Sequence, residues 1–344
     1  MKKLMNTLFV TSEDLYLSLE NDNILAWREN ELIQRIPLIN LENIVYFGYK
    51  GASPALLGAC VKKHIGFCFL TPQGKFLARV NGTYAGSNIL LRKEQYRISD
   101  AEERSLEIAR YMIVGKIMNA RSVLMRALRD HRLSFDGPLF DSHIQDLLLS
   151  AKEAKQALSL ELLRGVEGNA AQNYFSLLDT LILQDKRHFY FRERNKRPPL
   201  DPMNALLSFT YTLLAHDCAS GLEAAGLDSY AGFLHRDRPG RQSLALDLME
   251  ELRAPYADRF ALMLVNNRII QSKHFKTMEN GAVMLGEEGR RIFLSYWQEK
   301  KRETITHPFL GEKIYWGLIP YVQALLLARY IRRDLDGYAP FLWK

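Results

Sequence analysis

Apolar and polar residues alternate in short runs over roughly the first ninety positions. Beyond that, apolar residues recur every three or four positions almost to the end. LYLSLE (15–20), NILAWRE (23–29), LIQRIPL (32–38) and NIVYFG (43–48) are separated by turns rich in Asn, Asp and Glu, the pattern of β-strands. ASPALLGACVKKH (52–64) has helical spacing and is expected to be a short helix. GFCFLTPQGKFLARV is expected to be a hairpin turning at Pro72-Gln73-Gly74, with NGTYAGS (81–87) as a connecting loop. From about Ile98 the character changes. SDAEERSLEIARYMIVGKIMNARSVLMRAL offers Ser99 or Asp100 as a cap and acids in its first turn, followed by apolar residues at helical spacing. Helical patterns then cover 142–162, 161–184, 202–225, 243–270, 284–303 and 311–334. The predicted fold class is α+β in two domains: a β-rich domain over 1–95 and a larger all-α domain over 96–344. The closing GYAPFLWK is apolar, so it docks, meets a partner or stays disordered.

Composition narrows the function classes. The 344 residues are 47% hydrophobic and 25% charged, the balance of a globular protein able to bury a core. A net charge of +7 admits a polyanionic partner such as nucleic acid. Cys60, Cys68 and Cys218 lie in apolar contexts without metal-like spacing and read as core residues of a reducing compartment. MKKLMNTLFVTSED has no cleavage signal, and no run of 18 apolar residues occurs, so a cytoplasmic protein without a membrane role is expected.

Three stretches carry candidate chemistry. In LLRGVEGNAAQNYFSLLDTL (162–181), Glu167 shares a helical stripe with Ala171, Tyr174 and Leu178. Gly165 and Gly168 flank it, at a cost of about 1 kcal/mol each in a helix, which suggests that something approaches the backbone there. The second stretch, DKRHFYFRERNKRPPLDP, interleaves Lys186, Arg187, Arg192, Arg194, Lys196 and Arg197 with aromatics. That arrangement suits a nucleic-acid surface, although such aromatics can equally anchor a loop. Asp201 is placed to cap the helix beginning at Pro202. In the third, GFLHRDRPGRQSLALDLMEELR (232–253), Leu244, Leu248 and Leu252 define a buried stripe. Asp247 and Glu250 flank that stripe, while Glu251 is expected to be solvated. His235 with carboxylates makes a competent Mg²⁺ or Mn²⁺ site, and Arg236, Arg238 and Arg241 lie alongside for phosphate.

GVEGNAAQNYF, RNKRPPLDPMNALLSFTYTLL and GFLHRDRPGRQSLALDLMEELR together resemble, in order and spacing, the motifs of the CRISPR-associated integrase. This is the universal subunit that inserts new spacers into a CRISPR array. The resemblance covers essentially the whole chain; the family's usual LMEEFR appears here as LMEELR. It implies that Glu167, His235 and Glu250 bind a divalent metal, with Asp247 as a supporting acid that orients His235 or a metal-bound water. It further implies an N-terminal β-sandwich used for dimerisation and a C-terminal helical domain holding the active site. Two homodimers would flank a dimer of a small ferredoxin-like companion subunit.

The expected activity is therefore metal-dependent DNA strand transfer, in which a 3′-hydroxyl attacks a phosphodiester at the edge of a repeat. Exchanging one ester for another requires no nucleotide triphosphate, and no G-x-x-x-x-G-K-[ST] loop is present. Two other readings stay open on the residues alone. One is a nuclease for branched DNA that uses water as nucleophile; the other is a non-catalytic nucleic-acid-binding scaffold whose acids form salt bridges.

Overall fold

The computed structural model describes all residues apart from 1–6, 42, 64, 72–75, 81–88, 196 and 344. The turn expected at Pro72-Gln73-Gly74 and the loop expected at 81–87 lie outside the described residues. Two compact units form. One comprises the described part of Met1–Ser87 with Leu285–Glu303 and Tyr315–Leu318; the other is Asn88–Met284 with Thr304–Ile314 and Ile319–Lys344.

The first unit contains β1 (Thr7–Val10), β2 (Leu15–Glu20), β3 (Asn23–Arg28), β4 (Glu31–Pro37), β5 (Asn43–Phe47), α1 (Pro54–Lys62), β6 (Gly66–Leu70) and β7 (Phe76–Val80). A four-stranded sheet has the order β1-β5-β6-β7, and β2-β3-β4 form an antiparallel sheet of three. Strands β5 and β6 run parallel, with Val45 opposite Cys68, and α1 provides the crossover between them. Ser53 caps α1 by accepting from the Leu56 N–H at 3.2 Å, and Pro54 opens the helix without losing a bond. Leu17 and Ile24 from one sheet, Ile44 and Phe67 from the other, and Leu56 and Cys60 of α1 share one buried core. The hairpin expected from GFCFL and KFLARV appears as the antiparallel β6–β7 pair.

The second unit is mainly helical. Its elements begin with α2 (Ile89–Ser99), α3 (Glu102–Asp130), α4 (Gly137–Gln156), α5 (Leu160–Ser176), α6 (Pro202–Ala224), α7 (Ser243–Glu250) and α8 (Arg259–Asn266). Further on are the short strands β8 (Phe275–Thr277) and β9 (Val283–Leu285), then α9 (Glu287–Arg302), which belongs to the first unit. The chain closes with β10 (Thr304–Thr306), β11 (Lys313–Tyr315) and α10 (Ile319–Ile331). The second part of the chain is thus less uniformly helical than its periodicity suggests, because β8–β9 and β10–β11 form two-stranded ribbons. Three-residue strands are too short to register as alternation. Gly281, at φ +77°, supplies the turn of the first ribbon. Ser99 and Asp100 do not cap α3: Ser99 ends α2, and α3 starts after Ala101 without a side-chain cap.

The helix expected over 243–270 breaks. A π-helical turn, Arg253–Asp258, separates α7 from α8. Pro255 lies within that turn and has no N–H to donate to a regular helical bond. Helices α3, α4 and α5 pack on one another, and the π-helical turn rests against α3 and α6. That packing brings the middles of α3 and α5 and the end of α7 into one neighbourhood.

Candidate active site

Helix α5 carries Glu167. Ser159 starts the helix by accepting from the Leu162 N–H at 3.2 Å, and two turns later Glu167 emerges with its side chain 26% exposed. Gly165 and Gly168 have no atom of the described chain within 4 Å of where a Cβ would lie, so the close backbone approach expected there does not come from this chain.

His235 is built by its neighbours. Arg164 donates to the Leu234 carbonyl through Nη2 at 2.6 Å and Nε at 3.2 Å, tying the 233–235 segment to α5. The fully buried Asp247 accepts four hydrogen bonds. Three come from the backbone N–H groups of Phe233 (2.6 Å), Leu234 (2.9 Å) and His235 (3.0 Å), and the fourth from His235 Nδ1 at 2.6 Å. Gly232 permits this closeness, because a Cβ there would meet Ser243 Cβ at 2.8 Å and Asp247 Oδ2 at 2.9 Å. A carboxylate only accepts, so His235 Nδ1 carries a hydrogen, and in the neutral ring that tautomer leaves the lone pair on Nε2. Nε2 lies 4.0 Å from Glu250 Oε1.

Glu250, the last residue of α7, is buried among cations. Lys116 Nζ from the middle of α3 pairs with Glu250 Oε2 at 2.7 Å and also with Glu167 Oε1, so a single ammonium joins both glutamates. Arg253 Nη2 pairs with Glu250 Oε1 at 3.0 Å. Burial opposes ionisation of Glu250, but Arg253, Lys116 and His235 outweigh it and pull its carboxyl down to about 2. Behind this pair, the Arg253 guanidinium lies 4.9 Å from the centre of the Tyr211 ring, and the Tyr211 hydroxyl donates to Asp258 Oδ1 at 2.5 Å. Burial pushes Asp258 up to about 6, against the pull of Tyr211 and Arg253. A cleft of about 30 Å³ opens beside the cluster, lined by Lys116, Ala170, Tyr174, Tyr211, Arg253 and Asp258, among others.

Among the described residues, no group of three His, Cys, Asp or Glu side chains stands ready around a common metal position. Glu167 and Glu250 close on Lys116 instead. The donor set nevertheless suits a hard divalent cation. The two carboxylates already share a positive charge, and the imidazole presents Nε2 because an acid holds its Nδ1–H, as metal-binding histidines commonly require.

The basic residues divide. Arg187, Arg192, Arg197, Arg236 and Arg238 are exposed, and Lys186 is paired with Asp179 at 2.8 Å. Arg194 points inward: its guanidinium donates to Asn204 Oδ1 at 2.7 Å and Ser208 Oγ at 3.1 Å and lies over the Tyr211 ring. It is therefore committed to the start of α6 and does not join the exposed run. Lys196 lies outside the described residues. Burial, reinforced by Arg238 and Arg197, lowers the pKa of Arg241, so the two basic stretches meet around it. Lys116 and Arg253 were not singled out from sequence. The available signal was a lysine set between Met112, Ile113, Ile117 and Ala120 on the buried side of α3.

The chain matches the family described as CRISPR associated protein Cas1 over residues 8–299. It belongs to that family. The CRISPR-associated endonuclease Cas1 1 of Chlorobaculum tepidum is 47% identical over 344 residues and aligned over the whole of both chains. Among solved structures, a CAS1 protein from Thermotoga maritima superimposes with a TM-score of 0.82 at 24% identity, covering 98% of this chain and 100% of that one. A casposase bound to integration product superimposes with a TM-score of 0.84 at 22% identity, over 99% and 95%. At those identities the two structures speak for the fold alone. No described helix is long and apolar enough to cross a membrane.

Proposed function

We propose that this Cas1-family chain is a divalent-metal-dependent DNA integrase of CRISPR adaptation, acting in the cytoplasm on double-stranded DNA and also able to cut branched DNA. The observation that carries the reading is that Lys116 joins Glu167 to Glu250 while His235 Nε2 lies 4.0 Å from Glu250 Oε1, with Asp247 fixing the imidazole from behind. Glu167, His235 and Glu250 would hold Mg²⁺ or Mn²⁺. Such an ion, when bound, makes a hydroxyl more acidic and neutralises charge on the phosphoryl group.

The protein's own residues do the rest. Asp247 keeps His235 in the tautomer that leaves Nε2 free of hydrogen. Arg253 holds Glu250 ionised and aimed. Arg197, Arg236, Arg238 and Arg241 supply positive charge to the DNA backbone, with Arg187 and Arg192 extending the track. The attacking 3′-hydroxyl forms a new phosphodiester with the strand at the repeat edge, and the displaced 3′-oxygen leaves with the proton the attacker gave up. One ester replaces another, so energy from a nucleotide is unnecessary. The first unit would mediate homodimerisation. Its β4 is an edge strand with Leu32 and Ile33 exposed, and the homodimers would assemble with a small ferredoxin-like companion subunit.

The test is a strand-transfer reaction. Labelled DNA with a free 3′-hydroxyl is mixed with supercoiled repeat plasmid in Mn²⁺ or EDTA, with and without the companion. The expected result is label joined to plasmid in Mn²⁺ only, and lost with Glu167→Ala. Cutting of branched DNA without any joining would leave a nuclease that uses water as nucleophile. Metal-independent DNA binding with neither reaction would leave a scaffold.

A further inference from the structure

Resting on that metal-site reading, we infer that Lys116 is an exchangeable counter-ion: its ammonium holds Glu167 and Glu250 together before a divalent cation arrives, then yields the position and turns into the adjoining cleft.

The first argument is one of charge. Lys116 Nζ sits between Glu167 Oε1 and Glu250 Oε2, and its side chain is only 13% exposed. Glu250 also carries Arg253. Two carboxylates are therefore already balanced by two fixed cations. Of the other acids nearby, Asp247 spends its charge on three backbone N–H groups and His235 Nδ1, and Asp258 accepts from the Tyr211 hydroxyl and faces Arg194 as well as Arg253. A divalent ion added to this arrangement would place four positive charges against two negative ones within a few ångströms. In a poorly screened interior that repulsion is large, so one of the resident cations has to go.

The second argument is which one goes. Arg253 holds its guanidinium over the Tyr211 ring at 4.9 Å in the π-helical turn, and turning into the cleft, which it also lines, would give up both that ring and its pair with Glu250. Lys116 has a flexible four-carbon stem and a compact ammonium, and it lines a cleft of about 30 Å³, room for one group the size of an ammonium. Tyr174, Tyr211 and Asp258 also line that cleft, so a displaced ammonium still finds polar neighbours. The position also accounts for a lysine among Met112, Ile113, Ile117 and Ala120 on the buried side of α3, where an apolar residue would pack with less penalty. Without a metal, two converging glutamates in this setting need a monovalent cation to fold against one another.

The experiment compares wild type with Lys116→Met, Lys116→Arg and Glu167→Gln, using Mn²⁺ alone as the probe and calorimetry as the readout. Lys116→Met is expected to fold, because Arg253 still neutralises Glu250 and the partly exposed Glu167 can hydrate. It should bind Mn²⁺ about tenfold more tightly than wild type and show a larger Mn²⁺-induced rise in melting temperature. Lys116→Arg should bind more weakly than wild type, and Glu167→Gln should lose binding. A second measurement needs no variant: acylation of the Lys116 amine in wild type, followed by mass spectrometry, should be slow in EDTA and faster once Mn²⁺ is added. If Lys116→Met binds Mn²⁺ no better than wild type, or Lys116 stays equally protected in Mn²⁺, the counter-ion role is overturned while the metal site stands. If wild type and Lys116→Met both fail to bind Mn²⁺ and Glu167→Gln behaves identically, the metal reading falls and the counter-ion role falls with it.

Discussion

Glu250 and Glu251 are neighbours in sequence, both buried, and driven in opposite directions. Glu250 faces Lys116, Arg253 and His235, and its carboxyl is drawn down to about 2. Glu251 points the other way into a network of neutral donors. Its Oε1 accepts from the Tyr338 hydroxyl at 2.6 Å and Gln323 Nε2 at 2.9 Å, and its Oε2 from the Phe341 N–H at 2.9 Å. Three good hydrogen bonds do not replace a counter-charge, so burial wins and pushes Glu251 up to about 7. The lesson is that burial alone does not decide what an acid does; the formal charge of its neighbours does. The one acid stands in the candidate metal site. The other is a structural hook for the C-terminal segment, which Asn119 also grips through the Phe341 carbonyl (2.6 Å) and the Trp343 N–H (2.7 Å).

Glu250→Gln should break this comparison most severely. It strips the counter-charge from Arg253 and leaves Lys116 with Glu167 alone. A loss of about 3–5 kcal/mol is expected from uncompensated buried cations, together with loss of strand transfer. Thermal unfolding and the plasmid-joining assay check both. Retained joining with a normal melting temperature would mean that Glu250 matters neither to the metal nor to its cations.

Glu251→Gln should differ in kind. Joining persists, while stability changes its dependence on pH. An acid whose folded pKa lies above its unfolded value stabilises fully below the unfolded pKa, and that contribution is lost as pH rises through the folded value. For Glu251 the window runs from about 4.5 to about 7, and the shift corresponds to roughly 3 kcal/mol. Wild type should therefore exceed Glu251→Gln most clearly near pH 5, with the gap closing toward pH 8. For Glu250 the sign reverses: its contribution is present above about 4.5 and lost as pH falls toward about 2. Melting temperatures of both variants across pH 2 to 8 settle the contrast. A gap for Glu251→Gln that widens with pH would show that residue ionised in the folded protein.

These two acids also mark how far the sequence could be read. The spacing of His235, Asp247 and Glu250 brought them together because helical periodicity is local, and the structure has them adjacent. Glu251 was expected in water, on the other side of Glu250, although it stands seven residues after Leu244 and three after Leu248, along the leucine stripe. Its cover, Phe341, lies 90 residues away, where periodicity carries no information. Lys116 and Glu167 are 51 residues apart, so their pairing was equally invisible. Arg194 belonged to a basic run in sequence, yet Asn204 and Ser208, a few turns further along, take it inward. The strands of the first unit showed in their alternation, while the three-residue ribbons and the break around Pro255 did not.

Gly115→Ala tests the Glu251 side through packing instead of charge. A Cβ at 115 would lie 2.9 Å from Pro340 Cβ and 3.3 Å from Glu251 Cβ, both on the tail-anchoring face. Alanine gains about 1 kcal/mol of helix propensity in α3, and overpacking costs about 1–3 kcal/mol. A net loss of about 1 kcal/mol is expected, with faster proteolysis of the C-terminal segment and Mn²⁺ affinity unchanged. A stabilised Gly115→Ala would show that the tail yields freely and that Glu251 does not depend on it.

The smallest effect concerns the arginines outside both acids. Arg238 is exposed and Arg241 half-buried, and Arg238 and Arg197 add to the burial that lowers the pKa of Arg241. Like charges gathered here outweigh the pull of Asp247 on Arg241 and are stabilised when a phosphate arrives, so each should release about one counter-ion on DNA binding. Arg238→Gln should lower affinity by a few-fold at moderate salt and reduce the slope of log affinity against log salt by about 1, equally for all DNA sequences. It should leave the Glu250 and Glu251 pH profiles where they were, because it touches neither network. Arg194→Gln is the contrast within the same basic set. Its guanidinium is spent on Asn204, Ser208 and the Tyr211 ring, so it should cost stability and leave the salt slope unchanged. A slope that responds to Arg194 and not to Arg238 would mean that DNA follows a different face from the one these arginines define.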